Sequence, residues 1–152
     1  MKADKLAMEL EQILTGEPWY GTAVMKVIEK ADPEKTHSKT SGPHSAADIL
    51  LHMIAWTEET TERLKGKSAS DPVRGDWPDS SAYTWIALVT SFKSANELLK
   101  SVVVIMDEDL FSREVNDDRY RDAAEKGSYE ELIRGIIQHH IYHSGQIALL
   151  NK

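Results

Sequence analysis

Cysteine is absent from the chain, which removes a disulfide framework, a thiolate zinc site, an iron–sulfur cluster and a cysteine nucleophile together. Any metal bound here must be held by imidazole and carboxylate. Positive charge is scarce as well: 18 Lys and Arg stand against 25 Asp and Glu, leaving −7 with neutral histidines, so no global field favours a phosphate backbone. Nucleic acid is not expected as a partner. The longest aliphatic run, Val102 to Met106, is far short of the ~20 residues of a membrane span. The opening stretch MKADKLAMELEQ is broken by charge where a leader would need an apolar centre. A soluble, cytoplasmic protein without a membrane partner is the expectation. There is no phosphate loop, no G-x-G-x-x-G turn and no G-x-S-x-G elbow, so nucleotide and serine-hydrolase chemistry lose their usual signatures.

What the chain does hold is helical pattern. At 152 residues and 41% hydrophobic it can build one core but not two, so a single domain over residues 1–152 is expected. Leu6, Leu10, Ile13 and Leu14 fall at helical spacing, TGEP at Thr15 to Pro18 interrupts, and a further run goes from Trp19 to Glu29. This predicts one broken or kinked first helix. After a polar connection from Ala31 to Pro43, Ser45 and Asp48 form a capping-box pattern opening a second helix that Gly66 stops. Lys67 to Pro78 is a connection whose Trp77 can fold back onto the bundle, and Asp79 or Ser80 can cap a third helix running through Val102 and Val103. Asp107 to Gly127 is expected to be an extended, charged linker with a short helical turn. Ser128 and Glu131 open the fourth helix with a second capping-box pattern. The fold class expected is all-α, a four-helix bundle, up-down-up-down or with one long crossover.

The histidines carry the chemistry. On the last helix Leu132, Ile136, His139, His143, Gln146 and Leu150 lie within about 40° of one line, since each residue advances about 100°. Imidazoles four residues apart can reach one ion at ~2.0 to 2.1 Å. On the second helix His52 sits on the inward stripe between Ile49 and Trp56. Two readings stand side by side: core histidines satisfied by hydrogen bonds, or three imidazoles around a metal. His140 lies about 80° off the seam and is expected on a flank. His37 and His44, in or beside a polar connection, are expected to be solvated. Glu59, two turns beyond His52, is the candidate catalytic base or a carboxylate supporting the ligands, with an ion pair to Arg63 as the alternative. Gln146 can orient a ligand or hydrogen-bond across the bundle. Trp56, Trp85 and Phe92 are expected in the core. The zinc-protease pattern H-E-x-x-H is excluded, because His140 occupies the place of its glutamate in HHIYH.

Three blocks, TGEPWYG, HSAADILLHMIAW and QHHIYHSGQIALL, stand in this order along the chain. Together they resemble the DinB-like (YfiT-like) superfamily of metal-binding four-helix bundles, which includes bacillithiol S-transferases and the amino-terminal domain of mycothiol-dependent maleylpyruvate isomerase. The resemblance implies that His52, His139 and His143 hold a divalent ion, nickel or zinc, with water completing its shell. It further implies a metal-dependent enzyme, a thiol S-transferase or hydrolase acting on a small electrophile, with a low-molecular-weight thiol as a possible second substrate. It also implies a homodimer, for which Ile133, Ile137 and Ile141 lie off the metal seam. From a different class comes a noncatalytic stress-related or ligand-binding bundle in which the metal is structural. A bundle with no metal is the third reading.

Overall fold

Four long amphipathic helices and two short ones build the molecule; the computed structural model describes residues 1–152, the side chain of Ala123 excepted. Helix α1, Lys2–Thr15, buries Ala3, Leu6, Ala7, Leu10, Ile13 and Leu14, the one-face spacing that helical periodicity demands. Gly16 then turns extended. Helical structure resumes only at α2, Val24–Lys30, which buries Val24, Met25 and Ile28. The first helix, expected to be broken or kinked, is broken into two separate helices; the second starts at Val24 rather than at Trp19, which lies fully exposed in the turn between them. Pro18 offers no N–H to continue a helix across that turn.

Helix α3, Ala46–Leu64, starts on a complete capping box in which Ser45 and Asp48 each satisfy the other's backbone N–H. Its end is marked by Gly66 at φ +99, a left-handed conformation that glycine adopts without steric cost. Helix α4, Trp85–Ile105, is capped by Thr84, whose hydroxyl accepts from the Ala87 N–H. Asp79 and Ser80 do not cap it. Asp79 accepts from Ser81, and Ser80 is drawn away to donate its hydroxyl to the Asp48 carboxylate at 2.7 Å. The β-branched run at its end stays helical through Ile105.

The charged stretch from Asp107 contains a 3-10 turn at Glu108–Leu110 and the four-residue helix α5, Ala123–Lys126. Phe111 and Val115 anchor it in the interior, and the Asn116 carbonyl accepts from the Ala69 N–H. Helix α6, Tyr129–Leu150, opens on the second complete capping box, from Ser128 and Glu131. The long helices close a ring in the order α1, α4, α3, α6, and α2 lies against α1 and α6. Consecutive long helices α1 and α3, and likewise α4 and α6, thus face each other diagonally. Two long connections, not one, cross the bundle.

Ile133 and Ile137 are buried within this chain's own core, and Ile141 packs against it. Ile133 and Ile137 are therefore not available to a partner, and Ile141 is only partly available. Trp85 and Phe92 are in the core as expected, whereas Trp56 is only partly buried. Among the described residues no helix is long and apolar enough to cross a membrane.

Candidate metal centre

Helices α3 and α6 are neighbours, and their facing sides bring His52, His139 and His143 together. One ligand nitrogen from each ring lies within 4.8 Å of the other two, a grouping that could hold a metal ion. The Nε2 atoms of His52 and His139 stand 3.0 Å apart, and the His143 ring centre is 4.4 Å from that of His139 and 4.8 Å from that of His52. Adjacent nitrogens around an ion at 2.0 to 2.1 Å are separated by about 2.9 to 3.4 Å. The His52–His139 pair has that spacing, and the His143 nitrogen lies within 4.8 Å of both.

Hydrogen bonds to the other ring nitrogens decide which atom is free. The backbone carbonyl of Asp76 accepts from His52 Nδ1–H at 2.5 Å, and the Asp76 carboxylate lies 3.3 Å from the same nitrogen. Gln146 Oε1 accepts from His143 Nδ1–H at 2.6 Å. A carbonyl cannot donate, so in both rings Nε2 carries the lone pair. His139 Nδ1 is buried without a hydrogen-bond partner. A proton shared between His52 and His139 relieves one contact, whereas a cation satisfies all three lone pairs at once. The donor set fits a divalent ion.

Burial is the main cause that lowers the pKa of all three histidines; a nearby imidazole adds to it in each case, His44 for His52, His52 and His44 for His143, and His143 and His52 for His139. His139 is pushed down to about 3. They are neutral near pH 7, the state a metal ligand requires.

His140 is not on a flank. It is fully buried; its Nε2–H donates to Asn96 Oδ1 at 2.8 Å, and the Asn96 amide donates onward to the Phe92 carbonyl at 2.9 Å. The expectation failed because the buried face of α6, formed by Ile133, Ile136, Ile137, His140, His143, Ser144 and Ile147, is centred on His140, and the seam through half-buried Leu132, His139, Gln146 and Leu150 is its edge. The metal seam faces α3, while a position some 80° away faces α4 across the bundle. Burial holds the His140 pKa at about 3, against about 6.5 in the unfolded chain. Between those values the unfolded state binds more protons, so stability falls as pH drops below 6.5. For His140 alone the loss by pH 5 is about 2 kcal/mol. Urea unfolding of metal-free protein at pH 7 and pH 5 should show it, and equal midpoints would contradict a neutral buried ring.

Glu59 lies outside the cluster. Its buried carboxylate accepts from Arg63 Nε at 3.0 Å, Lys67 Nζ at 2.7 Å and the Ser70 N–H at 3.2 Å. Burial alone would raise its pKa, yet these donors outweigh that and lower it. The Arg63 ion pair weighed from sequence is present, and the whole knot pins the connection after α3. Glu59→Gln should cost about 3 kcal/mol of stability and leave metal content unchanged; a stable variant that loses the ion would place Glu59 in the site after all.

Two residues of the 67–84 connection reach the histidines without any periodic signal to announce them. Asp76 braces His52 and also accepts from Trp56 Nε1 at 2.7 Å. Trp77 stacks on His52 at 3.8 Å, and His44 stacks on the opposite face of Trp77 at 3.7 Å. The folding back of Trp77 was anticipated, but the place of His44 in this stack was not. His37 stays outside, donating to the Tyr83 carbonyl. Gln146 serves His143 on its own helix and does not reach across the bundle. Gln146→Leu should weaken ion binding about 10 to 100-fold with all three ligands still present, measured by competition with a chelator; an unchanged affinity would remove its orienting role.

A cavity of about 550 Å³ opens beside His143 and another of about 330 Å³ beside His139. A larger cleft, about 600 Å³, lies elsewhere, bounded by residues of α1, α2 and α4 and bridged by the ion pairs Lys93–Glu29 and Lys100–Glu11. Size does not mark the site here. The convergence of ligand atoms does.

No curated protein matches the chain. The sequence profile of the DinB family matches residues 7–152, a span that takes in most of α1, the other three long helices and every histidine of the cluster. With that match over nearly the whole length, the chain belongs to the DinB family.

Proposed function

We propose that His52, His139 and His143 bind one divalent ion, nickel or zinc, and that the protein is a metal-dependent enzyme, a thiol S-transferase or hydrolase acting on a small electrophile. The observation that carries this is three converging imidazole nitrogens with cavities on two sides. A structural zinc is closed by four protein ligands, whereas a three-ligand set leaves a position for water or substrate. An ion held there would acidify a bound water or thiol so that its anion exists near neutral pH.

The chain's own residues prepare that position. Asp76 and Gln146 fix the tautomers of His52 and His143, Trp77 covers one face of His52, and burial keeps the rings neutral. The carboxylate beside the cluster is that of Asp76, half exposed and 3.3 Å from His52, which is the place a supporting base would occupy. Cobalt-loaded protein tests the open position. Its visible spectrum should change on adding a small thiol or azide, and a spectrum indifferent to every such ligand would favour a structural ion. Thiols screened against chlorodinitrobenzene then test transfer, and rates independent of the metal would count against catalysis.

A further inference from the structure

The two cavities that meet at the histidines differ in chemistry. The one beside His139 includes Arg63, Lys126, Asp117 and Glu131 in its wall. The one beside His143 has eleven lining residues and no Asp, Glu, Lys or Arg among them. In a chain that is 28% charged, a surface cleft of that size would ordinarily hold about three such side chains. A charged ligand entering the neutral cleft would shed water and meet no counterion.

The walls also favour a ring. Trp77 has both faces occupied by His44 and His52, so only its electropositive edge is free to meet the face of another aromatic group. Tyr142 and Leu149, seven residues apart on α6 and therefore on one side of it, are 66% and 69% exposed at this cleft. Ile49 lines it too. The volume of about 550 Å³ falls within the ~300 to 1,000 Å³ of small-molecule sites. Because His143 is itself part of the wall, an occupant would lie beside the ligand nitrogens.

We propose that this cleft binds an uncharged aromatic substrate and sets the choice of electrophile, while the charged cavity on the His139 side does not take it. The reaction rests on the metal-dependent reading above; the binding does not.

The test is titration calorimetry of metal-free and metal-loaded protein with 1,3-dinitrobenzene, and of the metal-free protein with 3,5-dinitrobenzoate. The neutral ring should bind both forms, and in the metal-free form at least about tenfold tighter than the carboxylate, with Leu149→Glu and Tyr142→Ala each weakening it about tenfold and Lys126→Ala leaving it unchanged. Absence of saturable binding, equal binding of the carboxylate, or insensitivity to Leu149→Glu would overturn the assignment. So would a change in sedimentation of Leu149→Glu, which would mean that a second copy of the chain covers the cleft. Aromatic binding with an unresponsive cobalt spectrum would leave this inference standing and remove the enzyme reading, and the reverse pair of results would do the opposite.

Discussion

Replacing His52, His139 or His143 by alanine should each empty the metal site, with affinity falling by more than about 100-fold, beyond the loss expected for a residue that merely supports a ligand. Two remaining imidazoles can still touch an ion but no longer fix it. His37→Ala should keep the ion, because that ring is engaged with the Tyr83 carbonyl away from the cluster. Metal content after dialysis gives the readout, and far-ultraviolet circular dichroism separates an empty site from an unfolded chain. Retention of a full complement of metal by any of the three ligand variants would break the assignment.

His140→Ala should behave in a different way from its neighbour: it destabilises the fold by about 3 to 5 kcal/mol without removing a ligand. Truncation leaves a cavity beside Phe92, and it strands the Asn96 carbonyl oxygen that now accepts from His140. A double-mutant cycle with Asn96→Ala should return a coupling of at least about 0.5 kcal/mol, since the two side chains share one hydrogen bond. At a temperature where the variant remains folded, it should still take up the ion. Wild-type stability for His140→Ala would contradict the buried pair, and a folded variant without metal would put His140 among the ligands.

The ligand histidines and His140 also show how far the sequence reaches. The seam of α6 and the inward stripe of α3 were legible because helical geometry is local, and the capping boxes at Ser45 and Ser128 were legible for the same reason. His140 was misplaced because the wheel was centred on the histidine seam, whereas the buried face of α6 is centred some 80° away, on His140 itself, and leaves Leu132, His139, Gln146 and Leu150 half-buried at its edge. The start of α4 was lost to a tertiary contact: Ser80 is a good cap by composition, but Asp48 claims its hydroxyl. Of the Glu59 knot only the Arg63 contact was visible, since Lys67 and Ser70 return to it through a connection with no period. Asp76 and His44 were invisible as site residues for the same reason, each placed by a loop rather than by a helix.

Three imidazoles from α3 and α6 make up the proposed metal site. The direct measurement is elemental analysis combined with calorimetry on protein purified without an affinity tag and stripped with a chelator. Uptake of about one divalent ion per chain is expected, abolished in a variant lacking His52, His139 and His143 together. Failure to bind nickel, zinc, cobalt or manganese, or uptake that survives in the triple variant, would contradict it.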